Sequence, residues 1–446
     1  MTLKESHSRL SQIVAVSLLT LLLVSSSWAA DLEKVLHVFQ ATPGKYPMSG
    51  VISDVAGNLY GTTTEGGHAA ACGGGIGCGI VYKLTPNSTG WSYSVLHVFK
   101  GGQDGSYPLG SLVFDTAGDL YGTTVSGGGN SKSCTDGCGT VFELTPTSGG
   151  GWTESTIYRF QGGNDAAAPL GGVVFDGNGN LYGATADGGT DCGCGTVFEL
   201  SPGSERWTEQ ILYRFQGGYD NTDAAYPNSG LIFDASGNLY GTSEGGGEGP
   251  CSGSLGGCGT VFEMSPKSGG GWTESVLYRF QGYRDGQDPF GVVLDPSGNL
   301  YGSTTLGGSK SDCGTVFELT PQSGGNWNET ILHRFRCDKA GGYPDGVILD
   351  PAGNIYGSTM GLGVVTEGTV FKLSLSSGKW TLNVLHRFTR STGGNRPSVP
   401  SLDSTATHLF GTTYYEGAND SGFGVVFEIT PSLSSSHQCY PLGVSC

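Results

Sequence analysis

Short apolar runs alternate along the chain with turns made of glycine, proline, asparagine and aspartate. In one unit the runs are Leu112–Phe114, Leu120–Thr124, Thr140–Leu144 and Trp152–Phe160, and polar segments separate them. These runs are rich in the β-branched and aromatic residues that favour strands. Asp115 begins the first turn, where its carboxylate can accept backbone N–H groups. No segment repeats its apolar residues with a helical period, so the pattern predicts an all-β protein.

The same four-strand unit recurs seven times. Its most regular phrase, Gly-Asn-Leu-Tyr-Gly-Thr with variants, carries an aromatic residue at intervals of 61, 61, 58, 61, 55 and 54 residues, at Tyr60, Tyr121, Tyr182, Tyr240, Tyr301, Tyr356 and Phe410. A fixed period of this size predicts a repeat architecture. Repeated four-stranded antiparallel units are typical of propeller blades.

The two ends of the repeat region complete each other. The segment Val35–Phe39 matches the fourth strand of other units, such as Val95–Phe99, whereas the last unit ends after its third strand, within Val425–Pro431. A blade assembled from both ends would close a ring and remove the open edges that a stacked solenoid would have to cap. We therefore predict a seven-bladed β-propeller with six continuous blades and one composite blade, made from the N-terminal strand and three C-terminal strands.

Three phrases of this repeat resemble a known family. Gly-Asn-Leu-Tyr-Gly-Thr-Thr, Gly-Thr-Val-Phe-Glu-Leu-Thr-Pro and Leu-Tyr-Arg-Phe are similar to the GloVer (Gloeobacter/Verrucomicrobia-type) tandem repeat of exported bacterial "choice-of-anchor" proteins. The resemblance covers about residues 35–431. It implies an exported repeat protein whose relatives differ in their C-terminal anchors, and it implies no particular activity. The tail, residues 432–446, has no apolar span or sorting motif, so we expect it to differ from the anchored relatives.

The N-terminus has the features of a secretory signal peptide. Lys4 and Arg9 form a positive start, and Ile13–Val24 is an uncharged, apolar-rich run of twelve residues. Such a run is short for a membrane span, and small residues for cleavage follow it. We expect cleavage after Ala29 or Ala30. The alternative is an uncleaved N-terminal anchor.

These features divide the chain into a signal peptide (1–30), a propeller (31–431) and a tail (432–446). The formal charge of the full chain is −17, and removing Lys4, Glu5 and Arg9 takes away two positive charges and one negative, which leaves −18. An acidic surface repels nucleic acid and anionic lipid heads. We therefore expect a secreted monomer, extracellular or periplasmic, with no nucleic-acid partner and no membrane span after cleavage.

Twelve cysteines in an exported chain predict disulfides. Four units carry a pair between the second and third strands: Cys72 and Cys78, Cys134 and Cys138, Cys192 and Cys194, Cys251 and Cys258. The start of strand three lies beside the end of strand four in an antiparallel hairpin, so we predict the further pair Cys313–Cys337. Cys439 and Cys446 then pair in the tail. The alternative, zinc or redox chemistry, needs convergent ligands, whereas these pairs belong to different blades.

The links between units are acidic. Four of them place an aspartate five residues after the last Phe of strand four, at Asp104, Asp165, Asp220 and Asp285. Since the links share a face with the cysteine loops, these carboxylates are candidate ligands around the mouth of the central channel, for Ca²⁺ or a polyhydroxylated molecule. The alternative, which we favour, is that they are solvated turn residues, because no Asp-x-Asp-x-Asp-Gly calcium loop is present. We assign no cofactor.

Other reactive side chains recur in equivalent positions, which favours structural roles. His37, His97, His333 and His386 occupy a position that is Tyr in three other units. Strand-three glutamates such as Glu143 and strand-four arginines such as Arg159 recur in five units, and we interpret them as ion pairs between blades. A Trp begins strand four in six units and is interpreted as a packing residue. We predict no catalytic residue.

The combined pattern favours a non-catalytic binding protein whose loop face holds a glycan or a cell-surface component. One alternative is an extracellular propeller enzyme, a polysaccharide lyase or hydrolase or a lactonase, with Ca²⁺ as a further option. Another is a structural module of the cell envelope. An enzyme needs one asymmetric site, so the residues to examine are those that break the repeat: His68, Glu65, Asp187, Glu244, Glu248 and Glu416.

Overall fold

The computed structural model describes residues 32–67, 72–129, 131–189, 191–217, 223–247, 251, 256–361, 367–389, 393–415 and 422–431. In this part of the chain seven antiparallel sheets of four or five strands form the blades of a β-propeller. The predictions of an all-β chain and of seven blades are confirmed. Helical structure in the described segments is limited to the 3₁₀ turn Gly73–Gly75, and none of it has the length and apolarity needed to cross a bilayer.

Strands are numbered in chain order, and blades are counted from the first continuous one. The strand β1 (Leu32–Val38) is followed by blade 1, with β2 (Gly44–Lys45), β3 (Ile52–Ser53), β4 (Leu59–Thr63), β5 (Glu65–Gly66), β6 (Ile80–Asn87) and β7 (Gly90–Val98). Blade 2 has β8 (Val113–Phe114), β9 (Leu120–Thr124), β10 (Thr140–Pro146) and β11 (Trp152–Arg159). Blade 3 has β12 (Ala166–Ala167), β13 (Val174–Phe175), β14 (Leu181–Thr185), β15 (Asp187–Gly188), β16 (Thr196–Ser201) and β17 (Thr208–Arg214).

The remaining strands follow the same plan. Blade 4 has β18 (Ala224–Pro227), β19 (Ile232–Phe233), β20 (Leu239–Gly246), β21 (Thr260–Pro266) and β22 (Trp272–Arg279). Blade 5 has β23 (Gln287–Leu294), β24 (Leu300–Leu306), β25 (Thr315–Pro321) and β26 (Trp327–Arg334). Blade 6 has β27 (Pro344–Leu349), β28 (Ile355–Thr359), β29 (Thr369–Ser376) and β30 (Lys379–Arg387). Blade 7 has β31 (Asn395–Pro397), β32 (Ser401–Leu402), β33 (Leu409–Tyr415) and β34 (Val425–Thr430), together with β1.

The composite blade closes the ring as predicted. Strand β1 pairs antiparallel with β34, with Glu33 opposite Ile429 and Val38 opposite Val425. Strand β34 in turn pairs with β33. The N-terminal strand therefore takes the fourth-strand position of blade 7, and the first and last repeats share one sheet.

The first strand of each blade is the innermost one and the fourth is the outermost. Inner strands of neighbouring blades lie against each other, as β23 does with β19 and β27. Glycine makes this approach possible, since a Cβ on Gly110 would lie 2.5 Å from the backbone nitrogen of Gly172 in the next blade. The links between blades and the loops between strands two and three emerge on the same side of the ring, which we call the loop face.

Aromatic pairs fill the spaces between blades. The last Phe of each strand four meets the strand-three ring of the next blade, with centroids 5.0–5.4 Å apart, in the pairs Phe39–Tyr82, Phe99–Phe142, Phe160–Phe198, Phe215–Phe262, Phe280–Phe317, Phe335–Phe371 and Phe388–Phe427. The strand-three ring also explains the glycine of the repeated phrase, because a Cβ on Gly122 would lie 2.6 Å from Phe142. Trp152 packs across the blades against Tyr60, in the packing role expected for it.

Five disulfides tie the loop face together: Cys72–Cys78, Cys134–Cys138, Cys192–Cys194, Cys251–Cys258 and Cys313–Cys337. These are the pairs expected among the described cysteines, whereas Cys439 and Cys446 lie outside the described residues. The second bridge packs under the link to the next blade, where a Cβ on Gly162 would lie 2.8 Å from Cys138 Sγ. Disulfides in this number are typical of proteins that fold in an oxidising compartment.

Candidate functional site

The link aspartates lie beside the outermost strands and not around the channel mouth. Asp104 accepts the backbone N–H of Lys100 at 2.8 Å, and Asp165 accepts that of Gln161 at 2.7 Å. Asp285 is held in the same way and also accepts the Tyr278 hydroxyl at 2.7 Å. The three described aspartates, Asp104, Asp165 and Asp285, therefore fold back onto their own fourth strands, and ligand binding by them stays a prediction.

In the link after blade 3 the contact is made by Asp223, whereas counting five residues from the last Phe selects Asp220. Asp220 lies outside the described residues. Asp223 accepts the backbone N–H of Gln216 at 2.7 Å and the Tyr213 hydroxyl at 3.2 Å, the contacts that Asp285 makes in blade 4. The blade 3 link is three residues longer before its aspartate, which shifts the position.

A β-bulge makes each fourth strand contact both neighbouring blades. In β11 the pairing register skips Ile157, so the alternation of side chains reverses there. Tyr158 consequently faces blade 3, where its hydroxyl donates to Glu209 at 3.1 Å, while Glu154 faces back toward Asp104 and His97 of blade 1. The His and Tyr of this position are thus structural contacts between blades, in line with their exchange between repeats.

At these contacts burial and a neighbouring aspartate raise the pKa of a glutamate in three blades. Burial, and after it the Asp165 charge, raises the pKa of Glu209 to about 8. Burial, and after it Asp223, does the same to the pKa of Glu274. Burial and Asp285 raise the pKa of Glu329 to about 7. Because the arrangement recurs in consecutive blades, it belongs to the scaffold.

The recurring glutamates and arginines have partners other than the ion pairs expected for them. Glu143 accepts the Tyr121 hydroxyl of its own blade. Arg159 donates to the Gln103 carbonyl of the preceding link at 3.0 Å, and Arg214 repeats this contact with Asn164. The arginines do connect blades, but through backbone carbonyls.

On the loop face, the inner part of each blade carries a residue that precedes proline and has positive φ. These residues have φ of 51–62° and form what we call the pre-proline ring: Tyr46, Tyr107, Ala168, Tyr226, Asp288, Tyr343 and Arg396. Non-glycine residues rarely adopt this conformation, and they persist in it only where their surroundings hold them. Here the preceding blade does so, as when Cys78 O accepts the Tyr107 N–H at 2.9 Å.

At the junction of blades 7 and 1, the pre-proline residue is part of an aromatic group. Tyr46 stacks on Tyr414 with centroids 5.2 Å apart. It meets Tyr415 and Phe423 edge-on at 5.4 and 5.5 Å. The four rings are half-buried, so each keeps part of its surface in solvent.

Charged groups border these rings. Lys45 Nζ lies 2.9 Å from Glu65 Oε2 and 5.2 Å from the Tyr46 centroid, and the exposed Arg396 lies over Tyr415 at 5.5 Å. Burial, and after it Tyr415, raises the pKa of Tyr414 to about 12. We call the four rings with Lys45, Glu65 and Arg396 the closure cluster.

The corresponding positions between blades 4 and 5 carry carboxylates. Glu244 follows its strand-two aromatic by four residues, as Tyr414 does, and Asp288 is the pre-proline residue. Burial, and after it Glu244, raises the pKa of Asp288 to about 6, with Asp312 contributing as well. Burial also raises the pKa of Glu244. One junction thus presents rings and the other acids.

The family of the chain follows from its repeats. The sequence profile of the Gloeobacter/Verrucomicrobia repeat matches residues 27–251 and 248–443. The chain belongs to this family. No curated protein matches it, so membership of the Gloeobacter/Verrucomicrobia repeat family describes the architecture and not an activity.

Solved structures with a similar fold are distant in sequence. A putative 6-phosphogluconolactonase from Bacteroides uniformis is 15% identical, with TM-score 0.46 over 75% of this chain and 83% of that one. PorZ, a surface component of the type-IX secretion system of Porphyromonas gingivalis, is 15% identical, with TM-score 0.48 over 88% of this chain and 48% of that one. A protein of unknown function from Dyadobacter fermentans is 10% identical, with TM-score 0.44, over 90% and 98%. At this distance the similarities carry no information on function.

The candidate residues that break the Gloeobacter/Verrucomicrobia repeat lie in different places, and only some of them belong to one of the two junctions described above. Glu65 belongs to the closure cluster and Glu244 to the acidic junction, while Asp187 lies opposite Ala167 in a small sheet of blade 3. His68, Glu248 and Glu416 lie outside the described residues. Sequence reasoning missed the rings of the cluster, although Tyr46 belongs to a recurring Tyr-Pro phrase and the Tyr414-Tyr415 pair departs from the repeat, so both could have been noticed.

Proposed function

We propose that this chain is an exported, non-catalytic binding protein that holds a glycan on the closure cluster. The observation that carries the proposal is the grouping of four half-buried rings with Lys45, Glu65 and Arg396 at one junction. Aromatic rings offer rigid, apolar faces with little entropy to lose, and charged groups at their edge can bond hydroxyls. A sugar presents both kinds of surface, since its C–H groups and its hydroxyls lie on different sides.

Export is supported by the five disulfides and by the apolar N-terminal run. N-terminal sequencing of the secreted protein checks it. We expect a mature chain that begins at Ala30 or Asp31, and an intact N-terminus would contradict the proposal.

A glycan array probed with the mature protein tests the binding function, followed by titration of the best glycan. Tyr415→Ser introduces the residue that blade 2 has at this position, Ser126, and it should weaken binding by at least about tenfold because it removes a ring from the contact. The matched control is Leu306→Ser, the same position in blade 5, which should leave affinity unchanged. Equal loss in both variants, or an array without bound glycans, would contradict the proposal.

A second candidate function is polysaccharide hydrolysis at the acidic junction. The pKa of Asp288 is raised to about 6 beside Glu244, whose pKa burial raises as well, and a raised carboxyl pKa is a property of glycosidase general acids. If this is the function, the wild-type protein releases reducing ends from a polysaccharide, and Asp288→Asn lowers the rate by about 100-fold or more. Unchanged polysaccharide after incubation with the wild type would exclude it.

A further inference from the structure

At the four junctions that follow blades 1 to 4, the contacts between fourth strands differ from one another in a single component. Each junction combines the residue just after the bulge, the link that follows it, and the residue six positions before the last Phe of the next fourth strand. At the junctions that follow blades 2, 3 and 4 these are a Tyr, an Asp and a Glu: Tyr158, Asp165 and Glu209; Tyr213, Asp223 and Glu274; Tyr278, Asp285 and Glu329. The carboxyl pair is constant, and the third group is a phenol.

Between blades 1 and 2 an imidazole replaces the phenol. His97 Nε2 lies 3.2 and 3.3 Å from the two carboxylate oxygens of Asp104. One ligand atom each from His97, Asp104 and Glu154 lies within 4.8 Å of the other two. The other three histidines of this position lack the full carboxyl pair: His37 stacks on Tyr93, His333 has Leu382 at the place of the glutamate, and the junction of His386 has Glu33 but no aspartate in the sequence of its link.

This set of donors fits a zinc ion. Zinc binds imidazole nitrogen and carboxylate oxygen at about 2.0–2.2 Å with tetrahedral geometry, which places neighbouring ligand atoms about 3.4 Å apart. The separation of 3.2 Å between His97 Nε2 and Asp104 Oδ1 corresponds to one edge of such a tetrahedron. Glu154 supplies the third donor, since one of its carboxylate oxygens lies within 4.8 Å of the ligand atoms of His97 and Asp104. A water molecule can fill the fourth position because the side chains of His97 and Asp104 remain 14% and 15% exposed.

The surroundings hold these donors in place. Asp104 accepts the N–H of Lys100, and Glu154 Oε1 accepts the Thr156 hydroxyl at 2.9 Å. The three ligands come from β7, the link and β11, so an ion at their centre would bridge two blades. Calcium is a poor fit for this set because it takes six to eight oxygen ligands.

We propose that His97, Asp104 and Glu154 form a zinc site that joins blade 1 to blade 2, independently of glycan binding. The repeat supplies its own controls. His97→Tyr converts the site into the arrangement of the next junction, a side chain that the fold already accepts three times. Tyr158→His is the reciprocal change, and it places an imidazole beside Asp165 and Glu209.

Calorimetric titration of untagged, chelator-treated mature protein with zinc tests the site. We expect one zinc per chain for the wild type, at least tenfold weaker binding for His97→Tyr, and a second zinc for Tyr158→His. A zinc-dependent rise in melting temperature should follow the same order. The ten cysteines in the five disulfides do not compete for the ion as thiolates.

Three outcomes would overturn the proposal. The first is equal zinc binding by the wild type and by a folded His97→Tyr. The second is a Tyr158→His variant that stays folded and binds no additional zinc. The third is calcium binding as tight as that of zinc, which would point to the carboxylates alone. Circular dichroism of each variant establishes that it is folded.

Discussion

The junctions between blades 7 and 1 and between blades 4 and 5 share a backbone and differ in chemistry. Tyr414 and Tyr46 stack at the first. Glu244 and Asp288 occupy the equivalent positions at the second, where burial and mutual charge raise the pKa of Asp288. The fold accommodates the tyrosines at one junction and the acidic residues at the other because all of these side chains lie on the loop face, outside the aromatic pairs that fill the spaces between blades. The comparison teaches that function in this ring is to be sought where equivalent positions diverge.

The largest expected effect comes from removing the same buried ring at both junctions. Phe39 and Phe280 are 1% and 0% exposed, and each packs 5.1 Å from a strand-three ring of the next blade. Replacing either with alanine should cost about 3–5 kcal/mol, because it leaves a cavity. Denaturant unfolding of Phe39→Ala and Phe280→Ala measures this.

Hydrogen exchange then separates the two variants. We expect faster amide exchange in β1 and β34 only for Phe39→Ala, since β1 is held in the composite blade by pairing with β34. Equal protection of β1 in both variants would show that the closure is no weaker than a continuous blade.

Alkaline pH should destabilise the three junctions between blades 2 and 5, and it should leave the stability of the junction between blades 7 and 1 unchanged. The folded pKa values of Glu209 and Glu274, about 8, and of Glu329, about 7, exceed the ordinary value of 4.5. The folded state therefore keeps protons that the unfolded state has lost. The stability from these groups is complete below about pH 4.5 and is lost as the pH rises to about 8. At the closure His37 stacks on Tyr93 instead, and burial lowers the pKa of His37 to about 4, so it stays neutral above pH 5.

Thermal melting between pH 5 and pH 9 measures this dependence. We expect a melting temperature that falls over this range in the wild type and a flatter profile in the triple variant Glu209→Gln, Glu274→Gln and Glu329→Gln. The opposite slope in the wild type would mean that these carboxyl groups are ionised in the folded state.

The smallest expected effect is a gain. Tyr82 is the strand-three ring of blade 1, where the other six blades have Phe, and its buried hydroxyl has no hydrogen-bond partner among the residues that the structure describes. Tyr82→Phe should stabilise the protein by about 1 kcal/mol, because burying a polar group without a partner is costly. The midpoint of denaturant unfolding should rise, whereas a lower midpoint would indicate that the hydroxyl does have a partner.

The fold could be predicted because the same pattern of strand and turn residues recurs in seven units, so that each unit supports the assignment of the others. Strand β9 (Leu120–Thr124) has its predicted bounds, and β10 only extends further, to Pro146, which stands opposite Trp152 at the hairpin end. The pairing of Cys313 with Cys337 followed from antiparallel register alone. Each of these inferences needs only the alternation and order of strands.

The candidate site could not be predicted in the same way, because it depends on side-chain direction and on closure. The link aspartates fold back to the outer strand, a direction that spacing does not encode. Asp223 replaces Asp220 because one link is longer. Tyr46 and Tyr414 lie at opposite ends of the repeat region, and only the composite blade brings them together. Opposite charge alone predicts ion pairs between the recurring Glu and Arg residues, whereas arginines such as Arg159 donate hydrogen bonds to backbone carbonyls.

The bulge at residues such as Ile157 has a consequence for how the ring can evolve. The bulge turns part of the fourth strand toward the preceding blade and part of it toward the next blade. Each blade therefore has two sets of contact residues on this strand, and each set must fit a different neighbour. Blades 2, 3 and 4 carry the same Tyr and Asp before a Glu, so a duplication or exchange among them would preserve every junction. A blade moved next to Leu382 or Tyr93 would meet the wrong partner. The outermost strands therefore limit which blades can be neighbours in this ring.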